Sequence, residues 1–176
     1  MPATFRDQLA IVAELQAEVR RMESGERRYA AASPPGDYER ELRLAGLAQR
    51  IAQSYTIMEG VMAFVARRID RSPVAGEDWH RKLIERCAQP REEAKRPAVV
   101  SAALAGELLE LCQFRHVVRN IYPTRLDEAR VRENLARLIR AARAFGAQCS
   151  VFAASLSAAG KSRRRGARPD AKRPGK

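Results

Sequence analysis

Apolar residues recur three and four positions apart along most of the chain, the spacing that lines up one face of an α-helix. The first such stretch runs from about Thr4 to Glu23, with Leu9, Val12, Leu15, Val19 and Met22 on one stripe. Gly25 and the Ser33-Pro34-Pro35-Gly36-Asp37 segment are predicted to break it. Leu44, Leu47, Ile51, Tyr55, Met58, Met62, Val65 and Ile69 form the second stripe, read as the longest helix. Ser72-Pro73 and Gly76 separate it from a short helix, Trp79 to Ala88, for which Asp78 is the expected N-cap. A charged connector, Pro90 to Pro97, leads to a fourth helix from about Ala98 to Tyr122, stopped by Pro123. Thr124 and Asp127 have the spacing of a capping signal for the fifth. Its stripe is Val131, Leu135, Leu138, Ala142, Phe145, Cys149, Phe152 and Leu156.

The pattern predicts an all-α protein: an up-and-down bundle of four long helices plus one short helix. No alternating strand pattern, hairpin dipeptide or long internal repeat competes with that reading. Composition agrees, since Ala, Leu, Arg and Glu dominate and aromatics make up only 6% of the 176 residues.

Charge changes the picture at one end. Of the net +12, the segment Lys161 to Lys176 carries +7, with eight basic residues against Asp170 and almost nothing apolar. Such a segment cannot bury a core, so the expected organisation is a helical domain over residues 1–160 and a disordered basic tail over 161–176. The tail suits either solubility or contact with RNA phosphates. Cys87, Cys112 and Cys149 form no CxxC pair, no secretory segment follows Met1, and no apolar run reaches membrane-spanning length. Reduced thiols in a cytoplasmic protein, with no membrane association, are expected.

Familiar site signatures are missing. His80 and His116 are the only histidines, so zinc-type His/Cys spacings and the HExxH pair are absent, and neither metal nor cofactor is expected. Gly160-Lys161-Ser162 ends like a phosphate-binding loop, but Ser155 stands where the leading Gly belongs. The fourth helix holds the one coherent polar cluster. At about 100° per residue, Arg115, His116, Arg119, Asn120 and Tyr122 share one arc, opposite Leu111, Phe114, Val117, Val118 and Ile121. Arginine forks suit phosphate oxygens, and histidine suits proton exchange at a ribose hydroxyl or leaving oxygen. An ordinary solvated helix face is the competing reading, with Tyr122 packing as a plug at the helix end. The arginines at 130, 132, 137, 140 and 143 lie mostly off the fifth stripe and read as a solvated or an RNA-tracking surface. Trp79 reads as buried under the bundle or as a stacking surface for an RNA base.

Phe114-Arg115-His116-Val117-Val118-Arg119-Asn120-Ile121-Tyr122 resembles the HepT-like proteins of the HEPN ribonuclease superfamily. Asp78-Trp79-His80-Arg81, Arg96-Pro97-Ala98-Val99-Val100, Leu126-Asp127 and Arg130-Val131 resemble the same group, so the likeness covers about Leu44 to Leu138. It implies a helical homodimer, a metal-independent endoribonuclease toxin acting on cellular RNA, and a nucleotidyltransferase antitoxin of the MNT type. The family's signature is Arg, four intervening residues, His, one residue, Tyr. The Arg and His act in catalysis, and the antitoxin silences the toxin by attaching AMP to the Tyr. Arg115 matches the signature Arg and Tyr122 the modified Tyr, while Asn120 stands at the His position. Asn cannot titrate near neutral pH, so proton transfer falls to His116, one turn before Asn120, or to His80. On this reading Arg115, His116 and Asn120 are catalytic, Arg119 and His80 bind RNA phosphate, and Tyr122 is the control point. The alternatives are a catalytically degenerate protein that binds a nucleotidyltransferase partner, and a basic nucleic-acid-binding module driven by its tail.

Overall fold

A computed structural model describes residues 4–31, 36–120 and 126–166, with side chains through residue 159. The elements are α1 (Phe5–Ala30), α2 (Asp37–Phe64, continuing as a π-helical turn Val65–Ile69), α3 (Trp79–Cys87), α4 (Ala102–Asn120) and α5 (Glu128–Gly166). None of the described residues forms a strand, and the one ladder-like feature is an isolated bridge between Arg91 and Arg96. The expected all-α bundle is the observed fold. Helix α1 packs on α5 and α2, α4 packs on α2 and α5, and α3 lies across α2 and α4. No described helix is long and apolar enough to cross a membrane.

The stripes predicted from spacing face the core, with Leu9, Ile69 and Leu156 at their ends only partly buried. Val12, Leu15, Val19 and Met22 of α1 meet Ile51, Tyr55, Met58 and Met62 of α2 and Leu138, Phe145, Cys149 and Phe152 of α5 in one core. Phe5 closes one end, edge-on to Phe152 with ring centroids 5.0 Å apart.

Helix boundaries differ from expectation at instructive places. Helix α1 passes through Gly25 to Ala30 rather than ending near Glu23. A helical glycine costs about 1 kcal/mol, and the following turn is tied down: Glu26 pairs with Arg43, whose guanidinium sits 3.6 Å above the Tyr29 ring. The longest helix is α5, with 39 residues against 28 in α2. It meets no proline before Pro169 and so runs through Gly166, beyond the expected boundary at residue 160. Residues 167–176 lie outside the described residues. Helix α4 begins at Ala102, not Ala98, because the Val99 and Val100 N–H groups donate to the Cys87 carbonyl (2.7 and 3.2 Å) while both side chains enter the core. Ser101 then caps the helix, its Oγ accepting from the Leu104 N–H. Asp78 occupies the N-cap position of α3 without a side-chain capping bond. Asp127 does cap α5, its carboxylate accepting the Ala129 N–H at 2.8 Å, while Thr124 lies outside the described residues.

The charged connector between α3 and α4 is largely exposed but anchored at one residue. Arg96 lies inside it with a fully buried side chain, bonded through Nε and Nη2 to the two Asp70 carboxylate oxygens at 2.6 and 2.8 Å. Its remaining donors reach the carbonyls of Gln89, Pro97 and Arg86. Asp70 follows the π-helical turn, so this pair joins the end of α2 to both ends of the connector and holds α3 in place.

The three cysteines are buried free thiols. Burial pushes the Cys87 and Cys149 thiols up to about 12. A raised thiol favours the folded state fully below the ordinary thiol value of about 8.5 and loses that contribution as pH rises above it. Native protein at pH 8 is therefore expected to leave Cys87 and Cys149 unlabelled by a thiol-reactive chromophore until urea is added. Rapid labelling in native buffer would contradict the buried placement.

Candidate functional site

On the polar arc of α4, His116, Arg119 and Asn120 are exposed, while Leu111 and Phe114 on the opposite side are buried and Val117 and Val118 half-buried. Arg115 is half-buried and anchored to the neighbouring helix: its Nε donates to Thr56 Oγ1 at 3.0 Å, and that hydroxyl donates to the Ala52 carbonyl. Arg119 is exposed one turn on.

His116 does not stand alone. Its ring packs edge-on against His80 of α3, with centroids 5.4 Å apart and planes at 84°. Trp79 covers the other side of His80, with centroids 3.8 Å apart. The two histidines, together with Glu77, Asp78, Arg81, Leu109, Cys112 and Gln113, line a cleft of about 130 Å³ between α3 and α4.

Beneath the cleft is a polar string inside the core. His80 Nδ1 bonds to Oε1 of Glu59, a short contact, and the same oxygen accepts the Tyr55 hydroxyl at 3.0 Å. The Glu59 side chain is 6% exposed and that of His80 15%, so water contributes little to either. Burial drives the Tyr55 hydroxyl far above its ordinary range, with Cys112 and Glu59 adding to the effect, so it keeps its proton and can donate to Glu59. The Cys112 thiol is likewise raised by burial, against a smaller opposing pull from Tyr55.

The placement sorts the expected residues. His80 and His116, 36 positions apart in sequence, are brought together, and Arg115 lies on the same stretch of α4 as His116. Asn120 bonds to its own helix, its amide donating to the His116 backbone carbonyl at 2.9 Å. Tyr122 lies outside the described residues. Trp79 is half-buried against His80, which occupies one of its faces. Most of the α5 arginines face carboxylates: Arg132 pairs with Glu128, Arg137 with Glu107 and Glu133, Arg140 with Glu107 and Arg143 with Glu23. Glu107 serves both Arg137 and Arg140, so these arginines are largely engaged within the protein. Among the described residues, no three His, Cys, Asp or Glu side chains converge as metal ligands do.

Tyr55, Thr56 and Glu59 were not expected at the site. Tyr55 was read as one more member of the apolar stripe of α2, which it is by burial. The available signal was Glu59 itself, an acidic residue one turn after Tyr55 on the core-facing side of a helix.

A sequence profile described as "HepT-like protein" matches residues 46–156, which takes in most of α2, all of α3 and α4, and most of α5. No curated protein and no solved structure matches the chain. The matched span is well over half of the chain and contains both histidines, Arg115 and the cleft; the chain belongs to the HepT-like family.

Proposed function

We propose that this HepT-like protein is the toxin component of a toxin–antitoxin pair, a metal-independent endoribonuclease that acts on cytoplasmic RNA as a homodimer. Its activity is silenced when a nucleotidyltransferase antitoxin of the MNT type adenylylates Tyr122. The observation that carries this reading is the edge-on pairing of His80 and His116 at one cleft, with Arg115 next to His116 in sequence on α4 and bonded to Thr56 of α2. Two imidazoles and a guanidinium are what transesterification at a ribose phosphate needs: proton transfer at two oxygens and charge stabilisation on the phosphoryl group. Arg119 adds phosphate binding on the same arc, and the Asn120 amide, held at the His116 carbonyl, orients that turn of the helix.

The test is cleavage of cellular RNA, and of a labelled oligoribonucleotide, by the purified full chain in excess EDTA. Products ending in a 2′,3′-cyclic phosphate are expected. His116→Ala should slow cleavage about 100-fold, and unchanged cleavage by that variant would remove His116 from the chemistry. Mass spectrometry after co-expression with a neighbouring nucleotidyltransferase should show Tyr122 carrying AMP, and an unmodified Tyr122 would sink the regulatory half of the reading.

A second reading, a non-catalytic protein that binds the nucleotidyltransferase, is favoured by one observation. Asn120 stands at the signature His position and its amide nitrogen bonds to its own helix. It predicts no cleavage of any RNA together with a stable complex with the partner.

A further inference from the structure

Glu59 is the least expected polar residue in the protein. It sits on α2 among Tyr55, Met58 and Met62, all fully buried, where an apolar side chain would pack without desolvating a charge. Its Oε1 is met from two sides, by the Tyr55 hydroxyl and by His80 Nδ1. Neither contact is needed to fold the helices that supply it, because α2 and α3 already share a core through Met62, Leu83, Ile84 and Cys87. What the contacts do is determine which nitrogen of His80 carries the proton. A neutral imidazole donating from Nδ1 to a carboxylate must present an unprotonated Nε2. Nε2 has no partner among the described residues, and His80 lines the cleft.

We propose that Glu59 and His80 form an orienting dyad in which Glu59, backed by Tyr55, holds His80 with Nε2 toward the cleft as the proton acceptor for the 2′-hydroxyl of a bound ribonucleotide. This rests on the ribonuclease reading above, and it moves the proton-accepting role from the α4 signature to α3. In the step, His80 Nε2 takes the 2′-hydroxyl proton and the 2′-oxygen forms a bond to phosphorus. The bond from phosphorus to the 5′-oxygen breaks, and that oxygen takes a proton from the His116 imidazolium. Products are a 2′,3′-cyclic phosphate and a 5′-hydroxyl end, with His80 left protonated and His116 neutral. Edge-on contact between the two rings lets a single phosphate lie against both. His80 is the catalytic residue of the pair; Glu59 acts through it and is a positioning residue.

The experiment has one arm that needs no RNA. Nitrogen-15 spectra of the labelled full chain, under conditions where the imidazoles are neutral, are expected to show His80 protonated at Nδ1. Glu59→Ala should return it toward the Nε2-protonated tautomer, while Glu59→Gln, which keeps an acceptor at that position and the shape of the side chain, should hold the Nδ1 form. A wild-type His80 protonated at Nε2 overturns the dyad. In the cleavage arm, His80→Ala should lose about 100-fold or more in rate. Glu59→Gln should lower kcat while leaving KM within about twofold, the pattern of a residue that acts on the chemical step alone. If wild type cleaves RNA and His80→Ala cleaves equally well, this proposal falls and the ribonuclease reading stands on His116. If wild type cleaves no RNA, the ribonuclease reading falls together with the acceptor role, and the tautomer alone decides whether Glu59 orients His80.

Discussion

Arg96→Ala is expected to destabilise the protein by about 3–5 kcal/mol, lowering Tm by roughly 10 °C or more for a domain of this size. Both members of the Arg96–Asp70 pair have fully buried side chains, so the attraction between them is largely offset by the loss of two hydration shells. Intact, the pair is close to neutral for stability. Broken, it leaves the Asp70 carboxylate buried without a cation, and the carbonyls of Gln89, Pro97 and Arg86 without their donor. That asymmetry sets the size of the effect. Arg96→Lys should recover only part of the loss, because an ammonium cannot match two carboxylate oxygens and three carbonyls with one planar fork. Asp70→Asn combined with Arg96→Met should cost less than the sum of the single changes, since the unpaired charge is gone. Urea unfolding of these variants, the two single changes of the double included, measures this directly. A loss below about 1 kcal/mol for Arg96→Ala would mean that the pair is open to water. The pair also reaches the site: it holds the end of α3 against the turn after α2, and α3 carries His80. Arg96→Ala is thus expected to loosen the His80–His116 contact as well as the fold.

On the proposed ribonuclease reading, Arg115→Ala has the largest expected effect on activity, about a 100-fold to 1000-fold loss of RNA cleavage and the end of growth arrest when the protein is expressed alone. Its effect on stability should stay within about 1 kcal/mol, because Arg115 is only half-buried and its bond within the protein is the one from Nε to Thr56. Nη1 and Nη2 of Arg115 have no carboxylate partner among the described residues, in contrast to the α5 arginines, which face Glu107, Glu133, Glu128 and Glu23. Arg115→Lys should retain part of the activity through its charge and lose the rest with the bidentate geometry. Thr56→Val, which removes the anchor and leaves the charge, should fall between wild type and Arg115→Lys. Full activity in Arg115→Ala, measured beside an unchanged urea midpoint, would make Arg115 an ordinary member of a solvated face.

Some of this arrangement is legible residue by residue. Arg115, His116 and Arg119 are visibly on the solvent side of α4 because Leu111 and Phe114 fill the other side, and one helix suffices to place them. His80 can be noticed only as a histidine near the start of a short helix; that it meets His116 depends on how α3 crosses α4. Asn120 is placed at the signature His position by its motif, whereas the bond from its amide to the carbonyl four residues back is a local choice open to any Asn on an exposed helix turn. Arg96 was hidden by its neighbours, since a run of charged residues and prolines reads as a solvated connector whichever member turns inward. Glu59 was hidden by its stripe, where periodicity identifies the face of a residue but not the partner waiting across it.

By itself the sequence determined the helices, their inward faces, the polar arc from Arg115 to Asn120 and the family, because each depends on spacing along one element or on a contiguous motif. Helix ends escaped it wherever tertiary contacts overrode local preference, as the Arg43–Tyr29–Glu26 cluster does past Gly25 and the Cys87 carbonyl does at Val99 and Val100. The site's chemistry was decided only by packing. A hydrogen bond such as Glu59 to His80, or an edge-on pair such as His80 and His116, requires distances of a few ångströms between residues 21 and 36 positions apart. Those distances follow from the crossing of α2, α3 and α4, which one-dimensional periodicity does not encode.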